Sequence, residues 1–369
     1  MEPNLLVVGA GPTGLSAALF LFERGIRCRI VDKAAVASAT SRAQVVNPRA
    51  LELLESSGVA AAIVAEGHPI HQVVFYDGWT PMAHLELGHV HPRYRMSVLP
   101  QARTEALLTE ALAIRGIHPE RSTELLFVSQ DEQRVSALLA HPDRHESLSA
   151  SLLYAADGAH SVVRHSLGIQ FNGSGLAEAW PLYDLCLDDP LDIGNAHVSF
   201  VKDGLVFLLC IHPGLWRIFG NVREPLEHLP SGVSPGKIEW KSSFHIADRV
   251  ASRETVGRVA IGGDAAHIHA PVGARGMNLG IEDAFVFAAC AADALRGDLS
   301  RLNEYGQLRH AVHEKVVGRL DKLTRLARGQ PEFVHFLRQR LISVMTKFPP
   351  TAHAMCELLT GLDHDVRVH

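Results

Sequence analysis

The most restrictive feature of the sequence is a glycine-rich turn close to its start. The turn reads GAGPTG over residues 9–14 and follows a short apolar run, LLVV, at residues 5–8. A helical pattern follows the turn, and a second apolar run at residues 28–31 ends at Asp32. A strand, a GxGxxG turn, a helix and a strand with a terminal acid form the first unit of a doubly wound dinucleotide-binding fold. We therefore predict an α/β chain with a Rossmann-like domain.

Each glycine of this turn has its own mechanical role. Gly9 permits the tight turn, Gly11 lets the backbone approach a pyrophosphate, and Gly14 allows the helix to pack closely on the strand. Free amides at the start of the helix attract the anion. Asp32 is placed to accept hydrogen bonds from adenosine ribose hydroxyls. FAD and NAD both use this motif, so the turn alone leaves the choice between them open.

Charge and cysteine content exclude several other classes of protein. The 369 residues carry a formal charge of −5 and contain no basic run, so neither nucleic acid nor a membrane surface is indicated as a partner. The five cysteines are scattered without a CxxC pair, which indicates neither a disulfide framework nor a zinc site and fits a reducing cytoplasm. Residues 3–22 are uncharged, but the glycine turn explains them better than a membrane span or signal peptide does.

A second motif follows an apolar run at residues 259–261. It reads GDAAH at residues 263–267, and PVGARGMNLG follows at residues 271–280. These segments resemble the GD signature of the aromatic-hydroxylase flavoprotein monooxygenases, the family of para-hydroxybenzoate hydroxylase. The resemblance implies that Asp264 holds the ribityl chain of FAD. The residues implied to lie under the pyrimidine ring of the flavin are Gly276, Met277 and Asn278.

A third motif, Asp-Gly at residues 157–158, is similar to the DG signature of the same family. Asp-Gly by itself is usually only a turn. The resemblance implies that Asp157 serves FAD binding and, indirectly, the transit of the nicotinamide coenzyme. It also assigns Arg42 to the arginine that contacts the mobile flavin, and it extends to Gln101, which precedes a predicted helix. Without the other motifs, Arg42 is equally well explained as a surface charge and Gln101 as a helix cap.

The resemblance implies an oxidoreductase that uses FAD, NADPH or NADH, and molecular oxygen. Such an enzyme hydroxylates a small aromatic or heteroaromatic substrate through a flavin hydroperoxide. Two alternatives stay open: a flavin-dependent reductase or dehydrogenase on the same fold, and a flavin-binding protein without catalysis. The sequence also leaves open the identity of the substrate, the choice between NADH and NADPH, and the oligomeric state. The predicted FAD contacts are Gly9, Gly11, Thr13, Gly14, Asp32, Lys33, Arg42, Gln101, Asp157, Asp264, Gly276, Met277 and Asn278.

Two residues near the implied flavin are candidates for substrate contact and catalysis. Pro271 matches the family proline whose main-chain carbonyl faces the substrate hydroxyl. His269 is a candidate to tune a phenolic proton near neutral pH, although a histidine bonded to backbone or solvent is the alternative. His267 is predicted to support the site, and no metal is predicted, because no carboxylate or second imidazole stands at metal-ligand spacing. The GARG of residues 273–276 departs from the commoner GGQG of the family and leaves the substrate class open.

The domain organisation is predicted from a change of pattern between about residues 168 and 249. Apolar and aromatic runs there are separated by Gly and Pro, as in an antiparallel sheet, whereas helices and strands alternate before this stretch and after residue 259. We predict a substrate-binding β-sheet domain inserted into a discontinuous FAD-binding domain. The FAD-binding domain is assigned residues 1–72, 97–168 and 250–300, the sheet domain residues 73–96 and 169–249, and a C-terminal helical segment residues 301–369.

Overall fold

A computed structural model describes residues 4–37, 44–188, 191–202, 204–271, 273–328, 333–366 and 368. Arg42 lies outside these residues. The strands are β1 (Leu5–Val8), β2 (Arg29–Val31), β3 (Val45–Val46), β4 (His68–Ile70), β5 (Gln72–Asp77), β6 (Thr80–Glu86), β7 (Met96–Val98), β8 (Glu124–Gln130), β9 (Val135–Ala140), β10 (His145–Ala150), β11 (Leu152–Ala155), β12 (Phe171–Asp188), β13 (Asn195–Val201), β14 (Gly204–His212), β15 (Leu215–Gly220), β16 (Ser234–Ala251), β17 (Thr255–Val256), β18 (Val259–Ile261) and β19 (His267–Ile268). The helices are α1 (Pro12–Glu23), α2 (Pro48–Leu53), α3 (Val59–Glu66), α4 (Gln101–Ile114), α5 (Val162–Ser166), α6 (Gly276–Leu295), α7 (Ser300–Ala327), α8 (Phe333–Lys347) and α9 (Pro349–Thr360). Short 3-10 helices cover Pro225–His228 and Gly263–Ala265.

A five-stranded sheet in the order β17-β18-β11-β1-β2 contains the first predicted strand. The three pairings among β18, β11, β1 and β2 are parallel, and only β17 runs antiparallel to its neighbour. Leu5 and Val7 face a core shared with α1 and α6, whereas Leu6 and Val8 face a core shared with β8, β9 and β10. Burial on both faces explains why β1 is an uninterrupted apolar run.

An eight-stranded sheet in the order β19-β16-β12-β15-β14-β13-β5-β6 holds the strands predicted after residue 168. All its pairings are antiparallel except that of β13 with β5, which is parallel. Strands β5 and β6 therefore join the sheet from a distant part of the chain. The predicted fold class, a Rossmann-like domain with an inserted, largely antiparallel sheet and C-terminal helices, is confirmed. The boundaries of the domains stay a proposal.

The C-terminal helices cover one edge and one face of the eight-stranded sheet. Helix α8 packs on β6, α9 also contacts β6, and α7 contacts β16. Helix α9 begins with two prolines and ends at Gly361, whose φ of +81° is a left-handed conformation that glycine adopts without strain. Among the described residues, none of the helices combines the length and hydropathy needed to cross a bilayer.

Candidate functional site

The glycine turn has the geometry of a phosphate-binding turn. Gly9 has a φ of +101°, and a β-carbon there would lie 2.1 Å from the carbonyl oxygen of Ala156. A β-carbon at Gly14 would lie 1.8 Å from the carbonyl oxygen of Gly9, so α1 can approach β1 only with glycine at this position. A β-carbon at Gly11, in contrast, would meet nothing within 4 Å. The backbone of Gly11 therefore faces open space at the start of α1, where the free amides favour an anion.

Asp32 holds the turn from the end of β2. Its Oδ2 accepts a hydrogen bond from the Ala10 amide at 2.6 Å, and its Oδ1 accepts one from the Ala34 amide at 2.8 Å. The Arg121 guanidinium lies 3.6 Å from Oδ2. The carboxylate therefore fixes the backbone of the glycine turn, and its contact with an adenosine ribose stays a prediction. Lys33 is exposed beside it.

Thr13 is the point at which the first and second motifs meet. A β-carbon at Gly263 would lie 2.4 Å from Oγ1 of Thr13, and one at Gly280 would lie 2.2 Å from the same atom. Both glycines therefore lie directly against the first turn of α1. Asp264 follows Gly263, and its side chain is exposed although both neighbouring residues are buried. The second motif therefore lies next to the first turn of α1, and the contact of Asp264 with a cofactor stays a prediction.

Asp157 follows β11, the neighbour of β1, and lies close to the same turn. Its Oδ2 accepts a hydrogen bond from the Val163 amide at 3.2 Å. Its Oδ1 is buried, and within the described part of the chain it has no hydrogen-bond partner. Burial raises the pKa of Asp157. A buried acceptor without a donor is costly, so this oxygen indicates a position where a bound group can donate.

The Asn278 side chain binds backbone groups of the protein, and the predicted position of this residue under the flavin ring stays a prediction. Its side chain is fully buried: Oδ1 accepts a hydrogen bond from the Asn47 amide at 2.9 Å, and Nδ2 donates to the carbonyl oxygens of Val45 and Ala274 at 2.9 and 2.7 Å. These bonds join the first turn of α6 to the segment that precedes α2. The side chain is thereby occupied within the protein, and only the backbone at this position is left to face a cofactor.

The loop before α6 has a strained backbone. Gly273 has a φ of +88° and Ala274, a residue with a side chain, has a φ of +53°. A left-handed conformation at a non-glycine residue costs of order 1 kcal/mol or more and persists when its surroundings hold it. Here the Asn278 side chain holds the Ala274 carbonyl.

The start of α6 is partly buried and carries no negative charge. Met277 is half-buried against the core between α1 and α6. The first turn of α6 has no acidic residue.

An ion network lies beneath the second motif, and we call it the Asp283 network. It comprises Asp283, His267, His313, Arg309 and Glu254. Oδ2 of Asp283 accepts a hydrogen bond from the Gly263 amide at 2.9 Å and lies 2.9 Å from Nε2 of His267. Its Oδ1 lies 2.8 Å from Nε2 of His313 and 2.7 Å from Nε of Arg309. All five side chains are essentially fully buried, so the network fixes Gly263 from the interior.

The charges of this network determine its protonation. Burial alone would raise the pKa of Asp283, but His313 and Arg309 outweigh it and hold that pKa well below its usual range. Burial alone would lower the pKa of His313, but Asp283 and Glu254 raise it. Asp283, His267 and His313 offer ligand atoms within 4.8 Å of one another, which their sequence spacing did not indicate. Because Arg309 already pairs with Asp283, we interpret the cluster as a network of ion pairs.

His269 is half-buried between the Asp283 network and the loop before α6. Its Nδ1 lies 2.7 Å from the Ala270 carbonyl oxygen, and among the described residues its buried Nε2 has no hydrogen-bond partner. A β-carbon at Gly276 would lie 3.8 Å from that Nε2. Burial lowers the pKa of His269 to about 3, below the near-neutral range that the sequence-based hypothesis assumed. The imidazole is then neutral, with Nδ1 as donor and Nε2 as acceptor.

Gln101 and Pro271, the remaining predicted positions, lie in different parts of the fold. Gln101 is the first residue of α4, and its Nε2 donates to Oε1 of Glu105 at 2.8 Å. Pro271 lines a cavity of about 180 Å³ between the eight-stranded sheet, the loop before α6 and the C-terminal helices. Ala274 lies in the same wall. We call this cavity the apolar pocket, and sequence reasoning missed its other lining residues because they come from segments far apart in the chain.

The residues at the glycine turn fit a dinucleotide. Open space beside Gly11, the start of α1 and an Asp157 oxygen that has no hydrogen-bond partner among the described residues provide an anion site and an acceptor near one another. Asp264 is exposed next to Gly263, which lies against the same helix. The fold and this convergence place the chain among the Rossmann-type dinucleotide-binding proteins.

The chain belongs to the FAD binding domain family, whose model matches residues 2–204 and 225–320. The predicted cofactor, FAD, and the resemblance to aromatic-hydroxylase flavoproteins are thereby confirmed. One relative is 6-methylpretetramide 4-monooxygenase of Streptomyces rimosus, 34% identical over 88% of this chain. Another is pentachlorophenol 4-monooxygenase of Sphingobium chlorophenolicum, 30% identical over 88% of this chain. The chain spans 61% and 66% of the lengths of these two proteins.

The fold is also that of a solved monooxygenase. The crystal structure of p-nitrophenol 4-monooxygenase from Pseudomonas putida superposes with a TM-score of 0.86 at 21% identity. The match covers 98% of this chain and 99% of that one. At this identity the likeness establishes the fold alone.

Proposed function

We propose that this protein is an FAD-dependent monooxygenase that consumes NADPH or NADH and hydroxylates a small aromatic or heteroaromatic substrate. One observation carries the proposal: a single loop connects the dinucleotide site with the apolar pocket. Pro271 and Ala274 of this loop lie in the pocket wall, and the helix that the loop opens touches Thr13 through Gly280. The names of the two curated relatives, both monooxygenases, support the same reaction type.

When bound, FAD would supply the redox chemistry of the reaction, and the protein would supply its binding and orientation. The residues proposed to hold it are the glycine turn, Asp157 and Asp264, with Gly276 and the start of α6 near its redox-active end. The first turn of α6 has no acidic residue, so its amides favour negative charge. A helix end contributes about 0.3–1 kcal/mol when exposed and up to about 2 kcal/mol when partly buried. Direct amide hydrogen bonds add to this stabilisation.

The apolar pocket is proposed to bind the substrate and to exclude water from the reaction. Its described lining residues are all apolar. The Pro271 carbonyl oxygen accepts a hydrogen bond from the Ala274 amide at 3.1 Å and is proposed to accept a second one from a substrate hydroxyl. His269 is proposed to position this loop by donating a hydrogen bond from Nδ1 to the Ala270 carbonyl oxygen. Gln101, Lys33 and Arg42 stay proposed contacts of the cofactor. A cytoplasmic location is also proposed, because all five cysteines are free thiols.

The test is to measure cofactor content, coenzyme oxidation and oxygen incorporation together. We expect a yellow protein whose FAD is released on denaturation, and NADPH or NADH oxidation that is stimulated by phenols or heteroaromatics. The product should gain one oxygen atom that derives from isotopically labelled O₂, with hydrogen peroxide measured to quantify uncoupled turnover. Coenzyme oxidation without incorporation of labelled oxygen would indicate a reductase instead. A colourless protein that does not take up FAD would contradict the whole assignment.

A further inference from the structure

The apolar pocket has a chemically uniform lining. Every described residue that lines it is apolar, with four phenylalanines on the sheet side and aliphatic side chains on the helix side. Representative members are Phe75, Phe200, Phe207, Phe219, Ile342 and Leu359. Burying an isolated carboxylate in such a lining is strongly unfavourable, because the charge loses its hydration without gaining a partner. An anionic ligand would therefore need a cation at the edge of the pocket.

Arg217 is a buried cation on the pocket face of the sheet. Side chains alternate between the two faces of a strand, and Phe219, two residues further along β15, lines the pocket. Leu209, which pairs with Arg217 in register on β14, also lines it. Only 3% of the Arg217 side chain is exposed. A guanidinium at this place would attract an aromatic carboxylate if its charge were not already balanced.

The charge of Arg217 is balanced within the protein. Asp184, its register partner on β12, accepts hydrogen bonds from Nε at 2.7 Å and from a terminal nitrogen at 2.8 Å. In the amide orientation that satisfies both groups, the Gln44 oxygen accepts from both terminal nitrogens at 2.9 and 3.1 Å. The guanidinium also lies over the Trp240 ring, 5.3 Å from its centroid. Gln44 directly precedes Val45 of the pocket wall, so these contacts lie next to the pocket.

We propose that the pocket selects uncharged aromatic compounds of one or two rings, and that Asp184 excludes aromatic carboxylates by neutralising Arg217. The proposal rests on the proposed hydroxylase function and names its substrate class. The size limit follows from the volume: a cavity of about 150 Å³ holds benzene, and this pocket is only slightly larger at about 180 Å³. Larger ring systems would require α7, α8 or α9 to move.

The test compares the binding of three single-ring ligands by titration calorimetry with the FAD-loaded protein. The ligands are 4-methylphenol, 4-hydroxybenzoate and 4-hydroxybenzamide, the last being a neutral isostere of the acid. We expect the wild type to bind both neutral compounds at least about tenfold more tightly than the acid. Equal or tighter binding of 4-hydroxybenzoate, or no binding of any of the three, would overturn the proposal.

Two variants separate the charge of Arg217 from other effects. In Asp184→Asn, affinity for 4-hydroxybenzoate should rise about tenfold while affinity for 4-hydroxybenzamide changes little. In the double variant Asp184→Asn, Arg217→Gln, which removes both charges, the acid should bind as weakly as in the wild type. Glu146→Gln, which alters the ion pair of Arg29 in another sheet, is the matched control and should not change selectivity. If the double variant also binds 4-hydroxybenzoate more tightly than the wild type does, the assigned role of Asp184 is contradicted.

Failure of this inference can be told apart from failure of the proposed function. The ligand-binding measurement does not depend on turnover. If neutral ligands bind selectively but no labelled oxygen enters them, the selectivity stands and the hydroxylase proposal fails. If hydroxylated products form equally well from aromatic acids, the hydroxylase proposal stands and the selectivity fails. If Asp184→Asn does not fold, as circular dichroism would reveal, Asp184→Ser takes its place, and the same gain in affinity for 4-hydroxybenzoate is expected; no gain in a folded Asp184→Ser would overturn the role of Asp184.

Discussion

The glycine residues of the turn differ in what a β-carbon added at each position would contact. At Gly14 a side chain would collide with the backbone of the protein itself, whereas at Gly11 it would enter open space. Gly14 is therefore required by the fold, whereas Gly11 is required only by a ligand that approaches its backbone. Separate alanine substitutions at the two positions test this difference.

Gly11→Ala should leave the apoprotein as stable as the wild type within about 0.5 kcal/mol, because nothing lies within 4 Å of the added methyl group. Its affinity for FAD should nevertheless fall. Gly14→Ala should destabilise the apoprotein by about 2 kcal/mol or more through the collision with Gly9. Urea unfolding of the apoproteins and flavin fluorescence titration measure both effects. Unchanged FAD affinity in Gly11→Ala would show that no cofactor phosphate approaches this backbone.

Asp264 is an exposed carboxylate between two buried residues, a position more suited to binding a ligand than to supporting the fold. Asp264→Ala should weaken FAD binding by about 1.5–3 kcal/mol, roughly tenfold to a hundredfold, through the loss of charge-assisted hydrogen bonds. The matched control is Asp143→Ala, which removes an exposed carboxylate from the turn between β9 and β10. Equal FAD affinity in both variants, measured by fluorescence titration of the apoproteins, would count against the role of Asp264.

Helix α6 connects the parts of the site at the scale of secondary structure. Its first turn continues the loop of the pocket wall, its second turn touches Thr13 through Gly280, and Glu282 and Asp283 hold ion networks on its buried side. Glu282 pairs with Arg275, Arg309 and His364, and although burial alone would raise its pKa, these charges lower it to about 2. Helices α6 and α7 are therefore joined by charges as well as by apolar packing.

The pairing of α6 with α7 predicts a dependence of stability on pH. Because Asp283 and Glu254 raise the pKa of His313 in the folded state, the contribution of His313 is fully present below its unfolded pKa, about 6.5. The contribution is lost as the pH rises through the folded pKa. His313→Gln should therefore cost about 1.5–3 kcal/mol at about pH 6 and progressively less toward about pH 9. Urea unfolding across this range measures the difference.

The matched control for this experiment is His353→Gln, which removes an exposed histidine of α9. That variant should show a small difference from the wild type that hardly varies over the same pH range. A cost for His313→Gln that grows with rising pH would reverse the assigned sign and argue that His313 is neutral in the folded protein.

At the scale of the whole molecule, the apolar pocket is closed by three separate parts of the chain. The sheet provides one wall, the loop before α6 provides the edge nearest the dinucleotide site, and the C-terminal helices provide the cover. Ion pairs hold the C-terminal end of this cover against α6. The His364 imidazole lies 2.7 Å from the Glu282 carboxylate, and the Arg275 guanidinium lies 3.7 Å from the Asp363 carboxylate. A ligand in this pocket would contact segments separated by more than a hundred residues.

Hydrogen exchange should detect this arrangement directly. We expect 4-methylphenol to slow amide exchange both in strands β13 to β15 and in residues 340–347 of α8, because a ligand that binds only the closed form stabilises all of its walls. Helix α5 (Val162–Ser166), which lies away from the pocket, serves as the internal control and should not change. Slowed exchange confined to the sheet would mean that the C-terminal helices do not cover the bound ligand.

The sequence by itself predicted the class of fold and, through its resemblance to a known family, the cofactor; both predictions are confirmed, whereas the assigned FAD contacts stay predictions. The GAGPTG turn, the buried strands and the helix patterns are local, and local backbone preferences and side-chain periodicity are strong enough to be recognised without knowing any partner. The GD and DG motifs were recognised because they resemble the corresponding signatures of that family.

The tertiary structure alone decided which distant side chains meet. Asp283 lies next to His313, Arg217 forms an ion pair with Asp184, and the Asn278 side chain binds the backbone of Val45 and Asn47. Such pairings depend on how strands register and helices pack, and burial then sets the charge of each group, as for His269. No spacing in the sequence encodes these distances, because each results from the packing of the whole chain.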